Sequence, residues 1–176
     1  MSLTRAKRTD VYQGRLISLG LEKIDLPGDL ELELEIVRHP GGAVIVAVNA
    51  DKHVCLIRQY RYAVGGNIWE LPAGTIGPEE VPLQTAKREL EEEAGVRAEQ
   101  WRDLGTIWPS PGYCDETLHL YLAMELEMTN VRHNSDEIIE VHWLSLPTAL
   151  AMAHKNEIRD AKTVAGLFHT DRLLAP

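Results

Sequence analysis

Apolar and charged residues alternate along Leu30-Glu31-Leu32-Glu33-Leu34-Glu35-Ile36, a period of two that predicts a strand with one wet face. Upstream, Ile24 to Leu26 runs into Pro27-Gly28-Asp29 and predicts a second strand entering a turn. Residues 1–39 are therefore expected to form a small N-terminal antiparallel β unit, with His39-Pro40-Gly41-Gly42 as its boundary to a domain over 40–176. Beyond that boundary, Ala43 to Val48 is almost continuously apolar and β-branched, the composition of a strand buried on both faces. Asn49 to Lys52 is expected to turn it back into Val54 to Tyr62 as a central hairpin. Further strands are expected at Leu104–Trp108, Thr117–Glu125 and Ile138–Leu144, and helices at Pro147–His154 and Ala161–Leu174. The fold class is mixed α/β, without internal repeat or low-complexity tract.

One further helix carries more chemistry than the rest. Pro82 suits a first helical turn and Gly95 a C-terminal stop. Between them Leu83, Ala86, Leu90 and Ala94 fall on one apolar arc. Glu89, Glu92 and Glu93 cluster on the adjoining face, while Glu91 points away toward solvent. Like charges at this spacing repel by a few tenths of a kcal/mol per pair, and no Lys or Arg interrupts residues 89–93. Such a run is either a solvated acidic face or a divalent cation site. Its hard oxygen donors, without Cys or His, favour Mg²⁺ or Mn²⁺ over Zn²⁺.

Composition narrows the partners. A formal charge of −9 over 176 residues disfavours phosphate-gripping nucleic-acid binding. No apolar run reaches the roughly 18 residues of a membrane span, and residues 1–10 lack the apolar stretch of a secretory signal. Two cysteines, Cys55 and Cys114, are too few to staple a fold. The expectation is a cytoplasmic protein that contacts neither membrane nor nucleic acid.

Gly74, Glu80, Arg88-Glu89, Glu92-Glu93 and Gly95 fix seven polar or glycine positions within 23 residues, and their spacing resembles the Nudix box. The order of elements over residues 40–176 also resembles that family's αβα sandwich with a mixed sheet. The resemblance implies Mg²⁺-dependent hydrolysis of a pyrophosphate bond by metal-bound water. It implies Glu89 and Glu93 as principal metal ligands, Glu92 as a further ligand or the base, and the Ala73 carbonyl as another ligand. Arg88, counted with Glu92 and Glu137 in the catalytic group, would brace the loop and helix through an ion pair with Glu80. Gly74 would allow a tight backbone turn beside the metals.

Fifteen residues past Val96, Pro111 sits in Ser110-Pro111-Gly112-Tyr113, a loop that resembles the ADP-ribose and nucleotide-sugar subgroup. There Pro111 and Gly112 would meet substrate; the alternative is an ordinary Pro-Gly turn. Arg58-Gln59-Tyr60-Arg61 resembles the subgroup's RQxR strand, which assigns Arg61 to the diphosphate, a group that suits a planar guanidinium. Arg58 is read as covering the sheet. Glu137, in the acidic run Asp136-Glu137, is the candidate base, although Ser135 stands where some members carry another Glu. Trp69 and Trp108 flank the site and are read as core or as stacking partners for a base; the seven His residues are scattered, and Cys114 receives no nucleophilic role. The resemblance implies ADP-ribose as substrate and AMP with ribose 5-phosphate as products, in a homodimer formed through residues 1–39. The alternatives are a sibling activity on GDP-mannose, ADP-glucose or dinucleoside polyphosphates, and a nucleotide sensor without catalysis.

Overall fold

The computed structural model describes residues 7–26, 28, 30–129 and 139–174. These divide into two compact units, each assembled from separate stretches of chain. One unit holds strands β1 (Arg8–Gln13), β2 (Ser18–Leu26) and β3 (Leu30–Arg38), paired antiparallel in that order, together with the segment Trp108–Thr117. The alternating glutamates of β3 find a cation across the pair, where the Lys23 ammonium lies 3.1 Å from Glu31 and 3.8 Å from Glu33. Strand β1 had no clear alternation to announce it, and its residues after Arg8 are exposed.

The second unit contains two sheets. Strands β7 (Ala73–Thr75), β4 (Gly42–Ala47), β9 (Leu118–Met128) and β8 (Val96–Ile107) form one sheet in that order; β10 (Ile139–Ser145), β5 (His53–Arg61) and β6 (Gly66–Glu70) form the other. The helices are α1 (Pro82–Ala94), α2 (Leu146–His154) and α3 (Ala161–Leu174). Among the described residues, no helix is long and apolar enough to cross a membrane.

The expected central hairpin is not formed. The turn itself occurs: the Asn49 side-chain oxygen accepts the N–H groups of Asp51 and His53, and Lys52 takes a positive φ of 59°. Both edges of β4, however, are occupied, by β7 antiparallel and β9 parallel, so β5 enters the other sheet between β10 and β6. Among the described residues the two strands meet at one bridge, Val48 with Val54. Turn chemistry is local and predicted the reversal; the choice of partner is tertiary.

Strand β4 is buried along its whole length, and its alternation explains why. Ala43, Ile45 and Ala47 pack with Ala86, Leu90 and Ala94 of α1, whereas Val44 and Val46 pack with Ala149 of α2 and Leu167 of α3. The second unit is thus an αβα sandwich. Full burial of Leu90 contributes about 1.5–3 kcal/mol, which outweighs the few tenths per like-charge pair on the same helix. Gly95 ends α1 at φ 63°, donating its N–H to the Glu91 carbonyl at 3.1 Å. The acidic face of α1 is therefore held by its apolar face.

Candidate active site

Helix α1 and the loop before it bring the box residues together around Arg88. Its Nε and Nη2 donate to Glu80 Oε1 and Oε2 at 2.8 and 3.0 Å, a paired contact that accounts for the brace expected from the sequence. Its Nη1 donates to Glu89 Oε1 at 2.6 Å and to Glu92 Oε2 at 2.9 Å. The cation that offsets Glu89 and Glu92 thus comes from the residue immediately before the acidic run. Glu80 also accepts from Thr85 Oγ1 at 2.8 Å and from the Gly77 N–H. The Arg88 guanidinium, followed by the Thr85 hydroxyl, holds the Glu80 carboxyl down at about 2. Arg88 is in turn held above its ordinary value, chiefly by Glu80. Glu91, expected to reach into solvent, instead receives both Arg97 Nε and Nη2, at 2.9 and 2.7 Å.

Glu93 is almost fully buried, at 4% exposure, and its Oε2 accepts the Ala73 N–H at 2.9 Å. The end of α1 is thereby tied to β7 at Ala73, the residue whose carbonyl the family resemblance implies as a ligand. Gly74 follows Ala73 in extended conformation, paired with Ala43. The expected tight turn is absent there; glycine is required because a Cβ would stand 1.9 Å from Glu89 Oε1 and 2.0 Å from its Cδ. The backbone is bare so that Glu89 can lie against it.

Among the described residues, no group of three or more His, Cys, Asp or Glu side chains is arranged to hold an ion. Glu89 and Glu92 turn to Arg88, and Glu93 engages the Ala73 N–H. The donor set nevertheless fits a hard divalent cation. All its side-chain atoms are carboxylate oxygens, two of them already share one cationic group, and Glu89 rests in a cradle that any side chain at position 74 would fill.

Arg61, the expected diphosphate contact, is half-exposed and bonds the buried Glu70 through Nε at 3.0 Å and Nη2 at 2.7 Å. Burial works against its charge, but Glu70 and the nearby charges of Glu93 and Asp160 hold its pKa up. The other Glu70 oxygen accepts from Lys162 Nζ at 2.9 Å, and Lys162 lies 3.0 Å from Asp160. Sequence reasoning passed over Glu70. The available signal was a carboxylate inside the apolar stretch Ile68-Trp69-Glu70-Leu71, which needs cationic partners if it is buried.

The remaining candidates lie elsewhere. Arg58 stands over the Trp69 ring at 5.8 Å, and Trp69 packs edge-on against His142, so Trp69 belongs to the sheet. Pro111 and Gly112 belong with β1 to β3 in the other unit, together with Trp108, which is 66% exposed. Glu137 lies outside the described residues. Burial pushes the Cys55 thiol up to about 12, with the charge of Glu93 adding to it, so it is no nucleophile.

Comparisons with known proteins bear on this geometry. A sequence model of the NUDIX domain matches residues 38–167. The chain is 35% identical over 158 residues to the ADP-ribose pyrophosphatase of Bacillus subtilis strain 168, covering 89% of this chain and 85% of that protein. It is 36% identical over 160 residues to the methanol dehydrogenase activator of Bacillus methanolicus, covering 90% and 86%. A solved structure described as an ADP compounds hydrolase superposes with a TM-score of 0.85 at 21% identity, covering 99% of this chain and 95% of that one, and shares the fold.

Proposed function

The chain belongs to the Nudix family, and from that premise we propose that it hydrolyses the pyrophosphate bond of a nucleoside diphosphate sugar, with ADP-ribose as substrate and AMP and ribose 5-phosphate as products. The observation that carries the reading is the arrangement of Glu89, Glu92 and Glu93 on α1 beside the bare backbone of Gly74. A protein that only sensed a nucleotide would have no need of the water-activating metal cluster that these carboxylates would hold.

Mg²⁺, with Mn²⁺ as a substitute, would be held by Glu89, Glu92, Glu93 and the Ala73 carbonyl. When bound, such ions screen the diphosphate and lower the pKa of water. The protein's own groups prepare that place. Arg88 fixes Glu80 and spaces Glu89 from Glu92. Ala73 fixes the orientation of Glu93 through its N–H. Arg61, held by Glu70 through Nε and Nη2, keeps Nη1 for a phosphate oxygen. Glu92, 32% exposed at its side chain, and Glu137 are the candidate bases. Pro111 and Gly112 contact the sugar nucleotide, and a homodimer forms through β1 to β3.

ADP-ribose leads because the Bacillus subtilis relative named for it matches along 89% of this chain. The test is a panel of ADP-ribose, ADP-glucose, GDP-mannose and a dinucleoside polyphosphate, each with Mg²⁺ or Mn²⁺ and products separated by chromatography. Highest kcat/KM on ADP-ribose is expected. Preference for GDP-mannose would transfer the assignment to the sibling activity, and binding without turnover would favour the sensor.

A further inference from the structure

The loop that carries Pro111 and Gly112 is fastened to the end of β3 by a carboxylate that no functional assignment has used. Asp115 Oδ1 accepts the His39 N–H at 2.9 Å, and its Oδ2 accepts from Arg38 Nη1 at 2.9 Å. Backbone bonds run beside it: Val37 N–H donates to the Tyr113 carbonyl at 2.7 Å and Asp115 N–H to the Val37 carbonyl at 3.2 Å. His39 Nδ1 also lies 3.4 Å from Glu116.

Arg38 is a rigid post for this fastening, because its other donors are already committed. Nε and Nη2 hold Glu22, with Nη2 at 2.6 Å from Oε2, and Arg8 Nη1 holds Glu22 Oε1 at 2.7 Å. The Glu22 side chain is only 12% exposed. Burial pushes its carboxyl up, yet the bonds from Arg8 and Arg38 outweigh that and leave it below the usual range. A buried carboxylate with two arginines fixes the head of each, and Arg38 retains Nη1 for Asp115.

The same residues shape a cavity of about 520 Å³, whose wall includes Ile36, Arg38, Trp108, Pro111 and Asp115. The exposed face of Trp108 belongs to this wall. Moving the loop off β3 would separate Pro111 and Trp108 from Ile36 and Arg38, and the cavity would lose its form.

We infer that Asp115 is a positioning residue for substrate recognition: by joining the loop to Arg38 and to the His39 amide, it sets where Pro111 and Gly112 stand and how the cavity is shaped. The inference rests on the reading that this loop meets the nucleotide sugar. Asp115 does no chemistry, so its loss raises KM and leaves kcat nearly intact.

The full chain with Asp115→Ala and with Asp115→Asn is compared with the native protein in two measurements. One is hydrogen exchange of the amides at Val37, His39 and Asp115; the other is kcat and KM on ADP-ribose with Mg²⁺. For Asp115→Ala, exchange is expected to quicken at least tenfold, and KM to rise at least tenfold with kcat within about threefold. Asp115→Asn keeps an acceptor for the His39 N–H and is expected to fall between the two. Should Asp115→Ala not fold, Arg38→Lys keeps the charge beside Glu22 while loosening Asp115 and serves the same comparison. Unchanged exchange would overturn the fastening. Quickened exchange with unchanged KM would overturn the role in recognition. Absence of nucleotide-sugar turnover in the native chain would instead strike the functional reading, with exchange still deciding whether Asp115 holds the loop.

Discussion

Replacing Gly74 by alanine adds one methyl group at the point where α1 meets β7. The new Cβ would lie 1.9 Å from Glu89 Oε1, and real Cβ atoms essentially never approach closer than 3.0 Å, so the oxygen must retreat by about 1.1 Å. The added atom meets the end of a flexible side chain, and Gly74 lies in strand β7 paired with Ala43, a conformation open to alanine. The fold therefore survives: removing a glycine from a strand stabilises by about 0.5–1 kcal/mol, which offsets part of the cost of turning Glu89 away from Arg88. Function loses much more, since displacement of about 1 Å at a reacting site can cost about 100-fold, or ~2.7 kcal/mol of barrier. The assay is steady-state hydrolysis of ADP-ribose across a Mg²⁺ titration, with thermal unfolding of the same samples. Gly74→Ala is expected to melt within a few degrees of the native chain and to need more Mg²⁺ for far lower activity. Native activity in this variant would refute the view that Gly74 exists to seat Glu89, and collapse of the fold would refute the claim that Glu89 alone yields.

Two further outcomes concern stability. Glu80 is held at about 2 against an ordinary 4.5, so the unfolded chain binds this proton first; the stabilisation is complete above about pH 4.5 and is lost as pH falls toward 2. Glu80→Gln should therefore lower the urea midpoint at pH 6, with the gap from the native chain shrinking by pH 3, and a gap independent of pH would contradict the pairing with Arg88. Gly166 in α3 faces Leu71 and Val46, where a Cβ would meet Cδ1 at 2.6 Å and Cγ2 at 3.0 Å; overpacking costs about 1–3 kcal/mol against about 1 kcal/mol of helix propensity gained. Gly166→Ala should lower Tm by a few degrees without changing kcat, and a higher Tm would show that the core yields there.

The helices were legible because their signals are local. Pro82 and Gly95 bound α1, and Ala161–Leu174 is the whole of α3. Strands β6 and β7 went unread because they are short and their partners lie in other parts of the chain: Trp69 pairs with Arg58, and Ala73 with Val44. The carboxylates of α1 are visible through periodicity, but their cations lie outside residues 89–93: Arg88, one position earlier, pairs with Glu89 and Glu92, and Arg97, beyond the helix, pairs with Glu91. Glu70 illustrates what periodicity cannot show: its cations, Arg61 and Lys162, come from β5 and α3. The loop at Pro111 reads as a turn, and its attachment to β3 through Asp115 and Arg38 spans 77 residues of chain.

The most direct measurement incubates the purified chain with ADP-ribose and Mg²⁺, with and without EDTA, alongside Glu93→Gln, and quantifies AMP and ribose 5-phosphate by chromatography. The native chain should release both products in equal amounts, EDTA should abolish the reaction, and the folded variant should lose at least 100-fold. Turnover undiminished in Glu93→Gln, or products other than this pair, would contradict pyrophosphate hydrolysis built on the carboxylates of α1.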